Sequence, residues 1–121
     1  MISVLQSSVE IDLGDTQIYI QFPEGPVLKI VNCFDNKEYR EFINPQELEK
    51  LRQGFHEFKT VQVYATNLSY MGCEKVQDSH LMFRTETTTG IYRTHLVMHF
   101  DKKQCKEIAE GFLQAQVQMA R

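Results

Sequence analysis

Ile43-Asn44-Pro45-Gln46-Glu47-Leu48-Glu49-Lys50-Leu51-Arg52-Gln53-Gly54-Phe55 and Phe100-Asp101-Lys102-Lys103-Gln104-Cys105-Lys106-Glu107-Ile108-Ala109-Glu110-Gly111-Phe112 begin in the same way. Asn44 and Asp101, 57 positions apart, each offer a side-chain oxygen to an orphan backbone N–H at the start of a helix. Glu47 and Gln104, three residues on, can reach back to the N–H of the cap, which completes a capping box. Ile43 with Leu48, and Phe100 with Cys105, add a hydrophobic staple to each start. Leu51, Gly54 and Phe55 then match Ile108, Gly111 and Phe112. The spacing predicts helices over about Pro45–Phe55 and Lys102–Met119, the tail from Gln114 being polar enough to fray. It also predicts two similar half-repeats, about 1–57 and 58–121, within a single domain.

Working back from the first helix, turn signals fall at Gly14-Asp15, Pro23-Glu24-Gly25-Pro26 and Asp35-Asn36. That rhythm suits short antiparallel strands joined by tight turns. The strands expected between them are Val9–Leu13, Thr16–Phe22, Val27–Phe34 and Lys37–Ile43. Ile18, Ile20 and Phe22 alternate with Gln17, Tyr19 and Gln21, the period of a half-buried strand. In the second half, Thr60–Ala65 alternates in the same manner. Tyr70 and Met71 form a short strand before a turn at Gly72, with Cys73 in a loop. His80–Thr87 and Ile91–Phe100 make a hairpin through Thr88-Thr89-Gly90. The fold class expected is α+β: mainly antiparallel sheet with two helices, as duplicated ββββα units.

At 121 residues the chain can bury a sizeable core without staples. No apolar run approaches a membrane span, and the first residues carry no secretory pattern, so no membrane partner is expected. Cys33, Cys73 and Cys105 have neither disulfide nor zinc spacing, which suits a reducing, cytoplasmic setting. A net charge of −3 argues against a partner held by bulk electrostatics but leaves room for a locally basic face.

Alternation defines that face. With Ile18, Ile20, Ile43, Val61, Val63, Leu81 and Phe83 inward, the outward set is Tyr19, Lys29, Arg40, Phe42, Tyr64, Arg84, Arg93 and His95. Tyr92, Leu96 and Met98 would point inward with Phe100. Aromatic faces stack on bases and cations meet phosphates, so this set is a candidate single-strand nucleic-acid surface. The same residues would equally serve as an oligomer contact, since basic and aromatic side chains mark protein interfaces. His95 and His99 share a strand face ~13 Å apart, too far to share an ion, and no carboxylate or Cys joins them at ligand spacing. No metal, cofactor or phosphate-cradling loop is expected, and no nucleophile has a base beside it. The reading is therefore of a protein that is not an enzyme.

The order of four strands and a helix, twice over, resembles the PUR-repeat and Whirly superfamily of single-strand nucleic-acid-binding proteins. Val9-Glu10-Ile11-Asp12 through Val27-Leu28-Lys29-Ile30 and on to Asn44 is similar in rhythm to one PUR repeat, and Leu28-Lys29-Ile30 is the nearest local match. The resemblance implies single-stranded DNA or RNA as partner and a homo-oligomer, often a dimer; no functional residue is carried over from it. The competing expectation is a protein-interaction module, such as a small inhibitor or adaptor, which the acidic balance favours. A small-ligand pocket at a dimer interface is a further alternative. A strand edge at Val9–Leu13 would be the natural dimer seam.

Overall fold

The computed structural model describes residues 1–23 and 25–121; Glu24, in the expected Pro23–Pro26 turn, lies outside the described residues. Strands β1 (Ile2–Val4), β2 (Ser8–Asp12), β3 (Thr16–Gln21), β4 (Val27–Asn32) and β5 (Glu38–Phe42) form one antiparallel sheet in chain order. Helix α1 (Pro45–Glu57) follows. Strands β6 (Val61–Ala65), β7 (Ser69–Val76), β8 (His80–Thr89) and β9 (Tyr92–Asp101) form the second sheet, also antiparallel and in chain order. Helix α2 (Lys102–Met119) closes the chain. The architecture is thus the duplicated ββββα arrangement, with β1 added to the first unit.

Both helices start as their sequences dictate. Asn44 Oδ1 accepts from Glu47 N at 2.7 Å, while Asn44 N donates to Glu47 Oε1 at 3.0 Å. Asp101 Oδ1 accepts from Gln104 N at 2.8 Å, and Asp101 N donates to Gln104 Oε1 at 3.0 Å. Asn44→Ala and Asp101→Ala should each cost about 1 kcal/mol, seen as a lower urea midpoint at unchanged slope. Unchanged midpoints would show that the caps contribute nothing.

Five features depart from the sequence reading. Ile2–Val4 pairs with Val9–Ile11, so β2 is an interior strand and not an edge. Gly72 lies within β7, which runs straight through the expected turn; Cys73 is accordingly buried and not in a loop. The β8–β9 hairpin turns at Gly90-Ile91, one residue later than expected. Tyr92 has the inward parity but is 75% exposed, because the tip of this hairpin projects past anything that could cover it. Helix α2 remains regular to Met119, with Ala115 buried and Met119 packed against the core.

One hydrophobic cluster draws on both sheets and both helices. Its centre is Phe55, whose ring lies 5.9 Å from those of Phe100 and Phe112 and 6.1 Å from that of Phe83. Each helix reaches into the other unit. Helix α1 approaches β6 and β7, and α2 approaches β1, β2 and β3 as well as β8 and β9. The matched glycines let each helix approach the other unit closely. A Cβ on Gly54 would meet Val61 Cγ2 at 2.5 Å, and one on Gly111 would overlap Ile11 Cδ1 and Cγ1. Where the helices meet, Glu49 accepts from Arg52 Nε at 2.6 Å and from Gln116 Nε2 at 3.1 Å. The Arg52 guanidinium, aided by Gln116, lowers the Glu49 carboxyl pKa to about 2.

Candidate functional site

The eight residues expected on one face divide among three places. Tyr19, Lys29, Arg40 and Phe42 lie on the outer face of the first sheet. Arg84, Arg93 and His95 lie on the outer face of the second. Tyr64 lies on neither. A bulge between Gln62 and Tyr64 sets Tyr64 opposite the buried Met71, turning it toward the core. There it meets Tyr39, whose hydroxyl approaches Glu41 Oε2 at 3.4 Å. Burial raises the pKa of both phenols, so Tyr64 serves packing and offers no stacking surface to solvent.

On the first sheet, register aligns Glu10, Tyr19, Lys29 and Arg40 in one row across β2–β5. Lys29 Nζ lies 4.9 Å from the centre of the Tyr19 ring. The cations there are already matched by carboxylates. Glu38 is 2.8 Å from Arg40 Nη2 and 4.0 Å from Lys29 Nζ, with Glu10 and Asp12 on the same face. The Tyr19 hydroxyl donates to Gln17 at 2.9 Å, and partial burial followed by the Glu10 charge raises its pKa. Phe42, 73% exposed, borders a groove of 580 Å³ with Val27, Gln21, Ser8 and Pro23.

The second sheet is different. Arg84 lies opposite Gly72 on β7 and Val97 on β9. A Cβ on Gly72 would come 2.5 Å from the Tyr70 hydroxyl oxygen, so the Tyr70 ring occupies the space that the missing side chain leaves. The Arg84 guanidinium sits 4.3 Å from the centre of that ring. Arg84 has no ion pair among the described residues. Arg93 pairs with Glu86, and His95 lies opposite the same Glu86. His99, exposed, continues the face beside Met82. The chain therefore presents two solvent-facing sheet surfaces, and each places a cation of its penultimate strand over a tyrosine of the strand before: Lys29 over Tyr19 and Arg84 over Tyr70.

Sequence reasoning missed Tyr70. Its signal was the alternation of Tyr70, Gly72 and Glu74 against Met71 and Cys73, which becomes a strand period once Gly72 is allowed inside the strand. The thiols of Cys73 and Cys105 are buried, and burial pushes that of Cys105 up to about 12 and that of Cys73 higher still, which keeps both protonated. Among the described residues, no three His, Cys, Asp or Glu side chains gather closely enough to hold a metal ion. No helix among them is long and apolar enough to cross a membrane. No known family model matches this chain, and no curated protein is significantly similar to it in sequence.

Proposed function

We propose that the chain is a non-catalytic binding module whose ligand face is the outer surface of the second sheet, and that its ligand is single-stranded nucleic acid. The observation that carries this reading is the Tyr70–Arg84 pair: a tyrosine whose hydroxyl end fills the space beside Gly72, with a guanidinium 4.3 Å from its ring centre that makes no ion pair among the described residues. A base can extend such a stack and the Arg84 guanidinium can meet a phosphate; Arg93 can join it only by exchanging its Glu86 partner for a phosphate. His95 and His99 lengthen the polar face along β9. The first sheet is the weaker candidate, because Glu38 occupies both of its cations. Three unpaired thiols fit a reducing, cytoplasmic setting.

Titration of fluorescent single-stranded DNA and RNA at about 50 mM salt tests the reading, because phosphate contacts are strongest at low salt. Tyr70→Ala should cost about 1–3 kcal/mol for each stacked base. Arg84→Ala with Arg93→Ala should weaken binding and flatten its salt dependence, while stability changes by less than about 0.5 kcal/mol, as for surface positions. No binding by the unaltered chain at tens of micromolar would remove the reading. In that event the exposed Phe42 and its groove favour a protein partner, whose affinity an apolar contact would make nearly indifferent to salt.

A further inference from the structure

Each sheet ends in two strand edges, and three of the four are guarded. β1 is three residues long. β5 has five residues and carries Glu38 and Arg40. β6 has five and is broken by its bulge. Short, charged and bulged edges are the ordinary protections against pairing with another chain. β9 carries charges only near its two ends, at Arg93 and Asp101, and is neither short nor bulged. It runs ten residues, contains no proline, pairs with no described strand but β8, and is exposed at Arg93, Thr94, His95, Val97 and His99.

The register identifies which backbone groups β9 leaves free. Its two-residue turn has Gly90 at φ +63° in the first central position, the pattern of a type II′ hairpin. Such a turn closes on a pair that exchanges both hydrogen bonds, here Thr89 and Tyr92. Alternate residues from there, Thr94, Leu96 and Met98, therefore bond to β8. Arg93, His95, Val97 and His99 direct their N–H and C=O away from it. Two hydrogen bonds agree with this phase. Thr88 N–H, in the pair with Arg93, bonds across to Leu68 O, and Asp101 N–H bonds to Gln104.

We infer that β9 pairs antiparallel with β9 of a second copy of this chain, with Val97 on the two-fold axis. Only this centre uses the strand from end to end. Val97 then faces Val97 of the second copy, and His95 faces its His99. Arg93 faces its Asp101, whose Oδ2 accepts nothing among the described residues while Oδ1 caps α2. On the other face, half-exposed Leu96 meets half-exposed Met98 of the second copy. Like therefore meets like on both faces, and a cation meets a carboxylate at both ends. About six new backbone hydrogen bonds join the copies, since residues that point their groups outward pair two bonds at a time. A centre at His95 or His99 would stack identical imidazoles on the axis and leave one end of the strand without a partner.

Position 97 supplies the test, because a residue on the axis meets itself. Sedimentation of the unaltered chain should show a monomer–dimer equilibrium. Val97→Lys and Val97→Asp should each weaken the dimer about 30-fold or more, by setting like charges face to face. Mixing the two variants should restore association to within about tenfold of the original, as opposite charges now meet. A chain that stays monomeric at several hundred micromolar overturns the proposal. So does a dimer indifferent to both substitutions, or two monomeric variants that do not associate when mixed.

Discussion

Phe55→Ala should lower the unfolding free energy by about 3–5 kcal/mol, the largest loss expected from any single truncation in this chain. Phe55 is 2% exposed, and its ring is the one that three others share. Phe83 and Phe100 belong to the second sheet and Phe112 to α2, while Ile18, Leu28 and Ile30 of the first sheet line the same small interior space. Truncation removes the transfer free energy of the ring. It also leaves a cavity whose walls come from both sheets and both helices and cannot all collapse together. Against a total stability of about 5–15 kcal/mol, that loss brings the protein near its unfolding threshold. Urea denaturation followed by circular dichroism measures it. A loss below about 1 kcal/mol would mean that the ring lies outside the centre of the core.

Gly111→Val should cost about 3 kcal/mol, even though valine is the better helix former. Gly111 sits where α2 crosses β2, and any Cβ there overlaps the side chain of Ile11, which is fully buried and has nowhere to turn. The helix must withdraw from the sheet along its length. The overlap is specific to one neighbour, so Ile11→Ala should relieve much of it. A double-mutant cycle should give a coupling of at least about 1 kcal/mol. Additive effects would show that the loss comes from the helix backbone itself. At Gly54 the neighbour is Val61, half-buried at a strand end, so the same substitution should be milder there.

The parts of this fold legible in the sequence are those governed by local rules. Both capping boxes, the pairing of the matched glycines and the alternation of β3 and β4 follow from residues within one turn or one strand of each other. What was not legible depends on partners distant in the chain. Ile2–Val4 becomes a strand only because β2 is there to bond it, and three residues carry no period of their own. Tyr64 was assigned to the wrong face because a single inserted residue reverses every side chain beyond it, and nothing in Gln62-Val63-Tyr64 announces the bulge. Gly72 was taken as a turn because a glycine inside a strand is costly on its own. Its justification is partly local, the Tyr70 ring two residues earlier, and partly tertiary, the Val61 carbonyl that would lie 2.9 Å from a Cβ there. The outward parity of Tyr19, Lys29, Arg40, Phe42, Arg84, Arg93 and His95 agrees with the structure. That they belong to two separate surfaces is a property of the packing, which alternation does not encode.

The crossing of the helices, α1 onto the second sheet and α2 onto the first, has the logic of a dimer made from exchanged arms. Each half helps to cover the other, and one core cluster draws on both. The short link after Phe58 serves as a tether. It holds one half around the other at an effective concentration of millimolar order, so dilution cannot separate them. A pair of untied halves would depend on its own abundance to stay folded; the tied chain does not. The tether also frees the two halves to diverge. One outer face is closely balanced in charge around Glu38, while on the other the Arg84 guanidinium over Tyr70 makes no ion pair among the described residues.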